Sequence, residues 1–308
     1  MPAIRELASG LKFPEGPIAM PDGSVLLVEI AAGTLTRIGS DGSKRVVASP
    51  GGGPNGAAIG PDGKCYICNN GGNRWYERDG LTYPSLADQG YSGGRIERVD
   101  LGTGKVEVLY RDCNGEPLKG PNDLVFDRQG GFWFTDHGKV RRRERDRGAV
   151  YYAKADGSAI TEVIFPLEGP NGIGLSPDEK TLYVAETDSC RLWAFEIEAP
   201  GKIRRARNAS LWSKGRLVAG LPGHQLFDSL AVDGAGNICV ATIVNGGITV
   251  IAPDGSKIEH VAMPDALTTN LCFGGRNLRT AYITLSATGK LVATEWPRPG
   301  LPLNFLNR

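Results

Sequence analysis

The sequence predicts an all-β fold, a six-bladed β-propeller with four-stranded antiparallel blades, on three observations. One short pattern recurs six times along 308 residues. Its copies begin at Glu15, Asn55, Asn122, Asn171, Asp228 and Asn270, close to the roughly 40–50 residues that one propeller blade occupies, with insertions in two. The 43 Gly and 20 Pro punctuate short apolar runs and form no low-complexity tract, as a turn-rich β protein requires.

Each copy is a polar residue, a small apolar run, a turn and a stronger apolar run. In order they read EGPIAMPDGSVLLVE, NGAAIGPDGKCYICN, NDLVFDRQGGFWFTD, NGIGLSPDEKTLYVAE, DSLAVDGAGNICVAT and NLCFGGRNLRTAYIT. Apolar residues alternate after the polar one, the period of a strand. Eight residues on stand Gly23, Gly63, Gly130, Glu179, Gly236 and Leu278, so that four of six copies place Gly where a tight turn wants it. Each copy is therefore a hairpin whose first strand opens on an oxygen-bearing side chain.

Between the copies lie further hairpins, among them residues 93–110, 148–165 and 246–263, which supply the outer strands. The segment IRELASGL (4–11) precedes the first copy and GKLVATEW (289–296) follows the last, and their pairing closes the ring. No linker-like composition divides the chain, which predicts one domain over 1–308.

Lys plus Arg total 35 against 34 Asp plus Glu, a balance that offers no long-range field for nucleic acid or an anionic membrane. A small, polar but uncharged partner is expected instead. The start, MPAIRELASGLKFPEG, carries charges where a signal peptide is apolar, and no window approaches 18 apolar residues; the expected location is the cytoplasm. Six cysteines are too few for a disulfide scaffold. Cys65 and Cys68 fall inside a strand-like run, where they point to opposite faces, and are read as core thiols.

In a propeller the first strands of all blades line a central channel, so the six leading residues become a ring at one mouth. Asn-Gly at 55 and 171, taken alone, is an ordinary turn signal. Set beside Glu-Gly, Asn-Asp, Asp-Ser and Asn-Leu at the equivalent places, the shared property is a side-chain oxygen. Six such oxygens, two of them anionic, suit a hard cation such as Ca²⁺, and the lack of His and Cys argues against a dedicated Zn²⁺ site.

The segments FPEGP (13–17), GPNDLVFD (120–127), GPNGIGLSPDEKTLYVAET (169–187) and FDSLAVDGAGNICVA (227–241) resemble the signature segments of the SMP-30/gluconolactonase family. The resemblance spans nearly the whole chain. It implies one divalent ion, Ca²⁺ first with Zn²⁺, Mn²⁺ and Mg²⁺ as alternatives, held by Glu15, Asn171 and Asp228, with Asn122 facing metal and substrate. It also implies hydrolysis of a small lactone or ester. The metal would polarise the carbonyl while a carboxylate accepts a proton from water. Asp228 is the expected base and Glu15 the alternative; in a second mechanism Asp228 attacks directly. Asn55 and Asn270 complete the substrate-facing set.

Sugar-lactonase members of the family often carry an Arg where this chain has Gly120, which weakens the case for a sugar-acid lactone. An insertion at 74–94 holds Trp75, Tyr76, Tyr83 and Tyr91 and is read either as a lid or as packing on the propeller face; Tyr91 is counted among the substrate-facing candidates. His137 could reach substrate from one side, oriented by Asp136. His224 is a weaker candidate, His260 a surface residue, and the charge run 139–148 a solvated connection. A phosphotriesterase acting at the same ion, and a propeller that only binds, are the competing functions.

Overall fold

A computed structural model of the chain describes residues 3–86, 90–207, 209 and 214–308. Six antiparallel sheets form the blades. Blade 1 comprises Pro14–Ala19, Val25–Glu29, Thr34–Ile38 and Lys44–Ala48; blade 2, Pro54–Ile59, Cys65–Asn69, Arg95–Val99 and Val106–Tyr110. Blade 3 comprises Pro121–Phe126, Gly131–Asp136, Gly148–Lys154 and Ile160–Leu167; blade 4, Pro170–Leu175, Thr181–Glu186 and Arg191–Ala199. Blade 5 comprises Leu226–Val232, Ile238–Ile243, Gly247–Ile251 and Ile258–Ala262. Blade 6 takes Thr268–Gly274, Thr280–Leu285 and Lys290–Glu295 from the C-terminal part and Arg5–Ala8 from the N-terminal part, pairing Arg5 with Ala293. The ring is thus closed by the two segments expected to close it. Blade 4 departs from four strands, because both Lys202–Arg204 and Arg216–Gly220 pair with Arg191–Ala199.

The second strand of every blade is buried on both faces, and its sequence shows why. VLLVE, CYICN, GFWFTD, TLYVAE, ICVATI and TAYITL are rich in β-branched and aromatic residues that pack between neighbouring blades. Tyr66, Phe126, Phe132 and Phe134 fill the space between blades 2 and 3, and Trp133, Ile173, Val184 and Phe195 that between blades 3 and 4. All six cysteines are free and buried in these layers.

The hairpin turns hold the expected backbone even where Gly is missing. Gly23, Gly63, Gly130 and Gly236 have φ of 84°, 73°, 86° and 85°, and Glu179 and Leu278 take 58° and 55° at the same place. The repeat therefore fixes a backbone conformation, and Gly is only its cheapest occupant.

The Asn-Gly pairs are not turns. Asn55-Gly56 and Asn171-Gly172 lie within the innermost strands of blades 2 and 4. In all six innermost strands the pairing register breaks beside the leading polar residue, between Glu15 and Ile18 or Pro170 and Ile173 for example. Such bulges re-aim a side chain out of the ladder, here into the channel. The glycine that follows makes room for the next blade. A Cβ at Gly16 would stand 2.5 Å from the Asn55 carbonyl oxygen, one at Gly56 2.5 Å from that of Asn122, and one at Gly172 2.5 Å from the Leu230 nitrogen.

At the far mouth the C-terminal residues lie across the channel. Leu301 N–H donates to the Val232 carbonyl, Asn304 to the Phe126 carbonyl and to Glu179, and Arg308 pairs with Glu179. The other mouth carries the polar residues.

Candidate active site

A cleft of about 530 Å³ opens at that mouth. Glu15, Asn55, Asn122, Asn171 and Asp228, five of the six leading residues, line it. Each is delivered from a different blade by the bulge that begins its innermost strand.

Their hydrogen bonds determine what each can offer. Glu15 Oε2 accepts from the Gly16 N–H at 2.6 Å and from the Asn270 amide at 2.6 Å. Asn270 thus turns its nitrogen toward Glu15, while its Oδ1 accepts from the Leu271 N–H at 2.7 Å. This corrects the expected six-oxygen ring: Asn270 is a prop for Glu15 and lies outside the cleft lining. Asn171 Nδ2 donates to Thr187 Oγ1 at 3.1 Å, its Oδ1 accepts from the Ser229 hydroxyl at 3.5 Å, and its amide N–H side also supports the Asp228 carboxylate. Asn122 Oδ1 is buried with no hydrogen-bond partner.

Carboxyl groups are concentrated here. Burial is the main cause that raises the Asp228 carboxyl far above the carboxylate range, reinforced by Glu15 and Asp123. Burial likewise raises Glu15. Asp123, next to Asn122, is pushed up to about 8 by burial and then by Glu15. An orphaned buried amide oxygen in one cleft lining with the carboxyl groups of Glu15 and Asp228 is a set of hard oxygen donors that fits Ca²⁺ or Mg²⁺. Among the described residues no three His, Cys, Asp or Glu side chains gather as a metal site; the set here is two carboxylates supplemented by amides.

The remaining candidates divide. His137 lines the cleft, and burial followed by the Arg145 guanidinium pushes its imidazole down to about 4, so the ring is neutral at physiological pH. Asp136 does not orient it. The Asp136 carboxylate accepts from three backbone N–H groups, those of Lys119, Gly120 and Gly138 at 2.7, 2.6 and 2.9 Å, and so pins the loop that carries His137. Tyr91 is outside the cleft lining. Its hydroxyl donates to the Lys119 carbonyl at 2.6 Å and its ring packs against Gly71, which corrects the substrate-facing expectation to packing. His224 and His260 are exposed elsewhere.

One residue of the site was read otherwise from the sequence. Lys139 was read as the start of a solvated run. Its amine is buried in the cleft wall and donates to Asn70 Oδ1, the Gly72 carbonyl and Asn73 Oδ1, while the rest of the run forms surface ion pairs such as Arg141–Asp146 and Arg147–Glu168. Burial pushes that amine down to about 7 against the pull of Asp136. Trp75 and Tyr76 of the insertion also line the cleft, on a hairpin formed by Trp75–Arg78 and Leu81–Pro84.

Residues 13–287 match the model of the SMP-30/gluconolactonase/LRE-like region. The chain belongs to that family. It is 27% identical to a gluconolactonase of Zymomonas mobilis, over 95% of this chain and 81% of that one. A lactonase drp35 of Staphylococcus saprophyticus is 30% identical over 79% of this chain and 67% of its own. Among solved structures, a gluconolactonase of Xanthomonas campestris superposes with a TM-score of 0.74 at 24% identity, covering 96% of this chain and 89% of that one. A calcium-binding regucalcin of Agrobacterium tumefaciens reaches 0.76 at 20% identity, covering 100% and 98%. At these identities the structures speak to the fold.

Proposed function

We propose that the protein is a divalent-cation-dependent lactonase that opens the ring of a small lactone at the mouth lined by Glu15, Asn55, Asn122, Asn171 and Asp228. The observation that carries the reading is the unpartnered Asn122 Oδ1 in the same cleft lining as the carboxyl groups of Glu15 and Asp228. The kinship with gluconolactonases and lactones' hydrolases supports the substrate class. Glu15, Asn171 and Asp228 would hold the cation, Ca²⁺ in the first instance, with Asn122 beside it. When bound, such a cation supplies Lewis acidity toward the carbonyl oxygen.

The chain's own groups divide the rest of the work. Glu15 has Oε2 committed to Gly16 and Asn270, which leaves Asp228 the freer base. Asp228 accepts a proton from the water that attacks the carbonyl carbon, the ring C–O bond breaks, and the proton passes to the leaving alkoxide to give a hydroxy acid. Asn122 and Asn55 orient the ring ester from blades 3 and 2. His137, being neutral, can donate or accept a hydrogen bond at the cleft wall without adding charge. Proton release on addition of simple lactones, before and after chelation, tests the reading; full turnover by the metal-stripped protein would sink it.

A further inference from the structure

The cleft has two unlike walls. On the side of blades 2 and 3 its polar groups are largely occupied with one another, because the three N–H bonds of Lys139 are taken by Asn70, Gly72 and Asn73. Asn70 Oδ1 also accepts from the Gly72 N–H. Apart from Glu15, Asp228 and Thr269, the lining on the side of blades 1, 5 and 6 is apolar: Phe13, Ile30, Ile243 and Leu267, with Trp75 and Tyr76 of the inserted hairpin beside them.

That hairpin is built to stay over the mouth. It leaves blade 2, crosses blade 1 and is tied to the blade 6 loop by the Thr82 N–H on the Ala287 carbonyl at 3.0 Å. Trp75 packs on Phe13 with ring centroids 4.8 Å apart, and Tyr76 stacks on Tyr83 at 5.4 Å. Phe13 itself sits at φ 57°, a left-handed backbone that is strained for an aromatic residue and that aims its ring at Trp75.

Gripping a polyhydroxylated ring needs several free donors and acceptors; beyond the leading residues the cleft offers His137 and Ser85, while Lys139 and Thr269 are held in bonds of their own. At Gly120 no side chain of any kind fits, since a Cβ there would stand 2.7 Å from the Gly138 carbonyl oxygen. The 530 Å³ volume is that of a site for a ligand well beyond a bare six-membered ring.

Resting on the lactonase reading, we infer that the hairpin sets substrate choice: the preferred lactone carries an alkyl or aryl substituent, seated between Trp75–Tyr76 and the Ile243–Leu267 wall, while its ring ester faces Asp228. Polyhydroxylated sugar lactones are the poorer substrates.

The test is a series of δ-lactones bearing hydrogen, methyl, propyl and hexyl groups, together with a sugar δ-lactone, assayed on the metal-loaded protein. Binding of the matching lactams, which are not hydrolysed, is measured alongside. The expected result is a kcat/KM that rises about threefold to fourfold per buried methylene and a sugar lactone at the bottom of the order. Trp75→Ala and the half-exposed Tyr76→Ala should each cut the hexyl-to-methyl ratio severalfold. The Tyr76 variant keeps the test valid if loss of Trp75 disturbs folding. A flat series, a sugar lactone at the top, or variants that slow every substrate equally would overturn the inference. Lactam affinities that climb with chain length in the absence of any lactone turnover would uphold the apolar seat and overturn the lactonase reading instead.

Discussion

Gly172→Ala adds one methyl group and removes no group of the candidate site, yet it should damage activity. The new Cβ would stand 2.5 Å from the Leu230 nitrogen, 2.7 Å from the Ser229 carbonyl carbon and 2.8 Å from the Asp228 carbonyl oxygen. All three are backbone atoms, so no rotamer change relieves the contact. The innermost strands of blades 4 and 5 must part by about 0.9 Å, the difference between 2.5 Å and the 3.4 Å of ordinary contact. Overpacking of this kind costs about 1–3 kcal/mol, and displacing a reacting group by about 1 Å costs on the order of 100-fold in rate. The displaced groups are Asn171 and Asp228. Gly63→Ala is the control: with φ 73° and no atom within 4 Å of its Cβ, it should cost about 1–2 kcal/mol of backbone strain and leave the site alone. Urea unfolding and kcat/KM on a lactone would be measured for both variants. Similar stability losses with activity lost only in Gly172→Ala are expected. Equal activity in the two would refute the claim that close blade contact positions the site.

Three further outcomes follow from the same geometry. Asp228→Asn removes a carboxyl whose charged form is disfavoured by desolvation and then by Glu15 and Asp123, so the metal-free variant should be more stable than metal-free wild type by about 0.5–2 kcal/mol while turnover falls by 100-fold or more; a destabilised variant would contradict that electrostatic cost. Asp136→Asn presents an amide to the three backbone N–H groups now bound to a carboxylate and should cost about 2–4 kcal/mol, read as a lower unfolding midpoint in urea. Lys139 has its amine lowered from 10.5 to about 7, so between those values the unfolded chain holds a proton the folded chain has released, and stability rises with pH. Relative to wild type, Lys139→Met should remove that rise, and identical pH dependence from 7 to 10 would show that the amine is not held as described.

Fold and site were legible to different depths. The ring was readable because a repeat turns six separate hairpins into one geometry, and because the turn residues from Gly23 to Leu278 mark the same backbone conformation in every copy. The leading residues were readable as oxygen donors for the same reason. Their orientation was not. Asn270 has the right side chain at the right repeat position, but the Leu271 N–H captures its oxygen and Glu15 its nitrogen, an outcome set by one local hydrogen bond. Gly172 looked like half of a turn because Asn-Gly usually is one; the blade it must clear is 58 residues away in sequence. Lys139, inside a run of charges, could not be told from its solvated neighbours, since its burial depends on acceptors at Asn70 and Asn73 in another blade. Asp136 was misread for the opposite reason: its nearest neighbour in sequence, His137, was taken as its partner, whereas its oxygens are bonded to three backbone N–H groups.

The measurement that bears most directly on the central claim is lactone hydrolysis by the same protein sample as purified, after chelation and after Ca²⁺ is restored, with bound metal quantified at each stage. One cation per chain, turnover abolished with its removal and recovered with its return is the expected result, together with loss of both binding and turnover in Asp228→Asn. Undiminished hydrolysis by protein shown to be metal-free would contradict it.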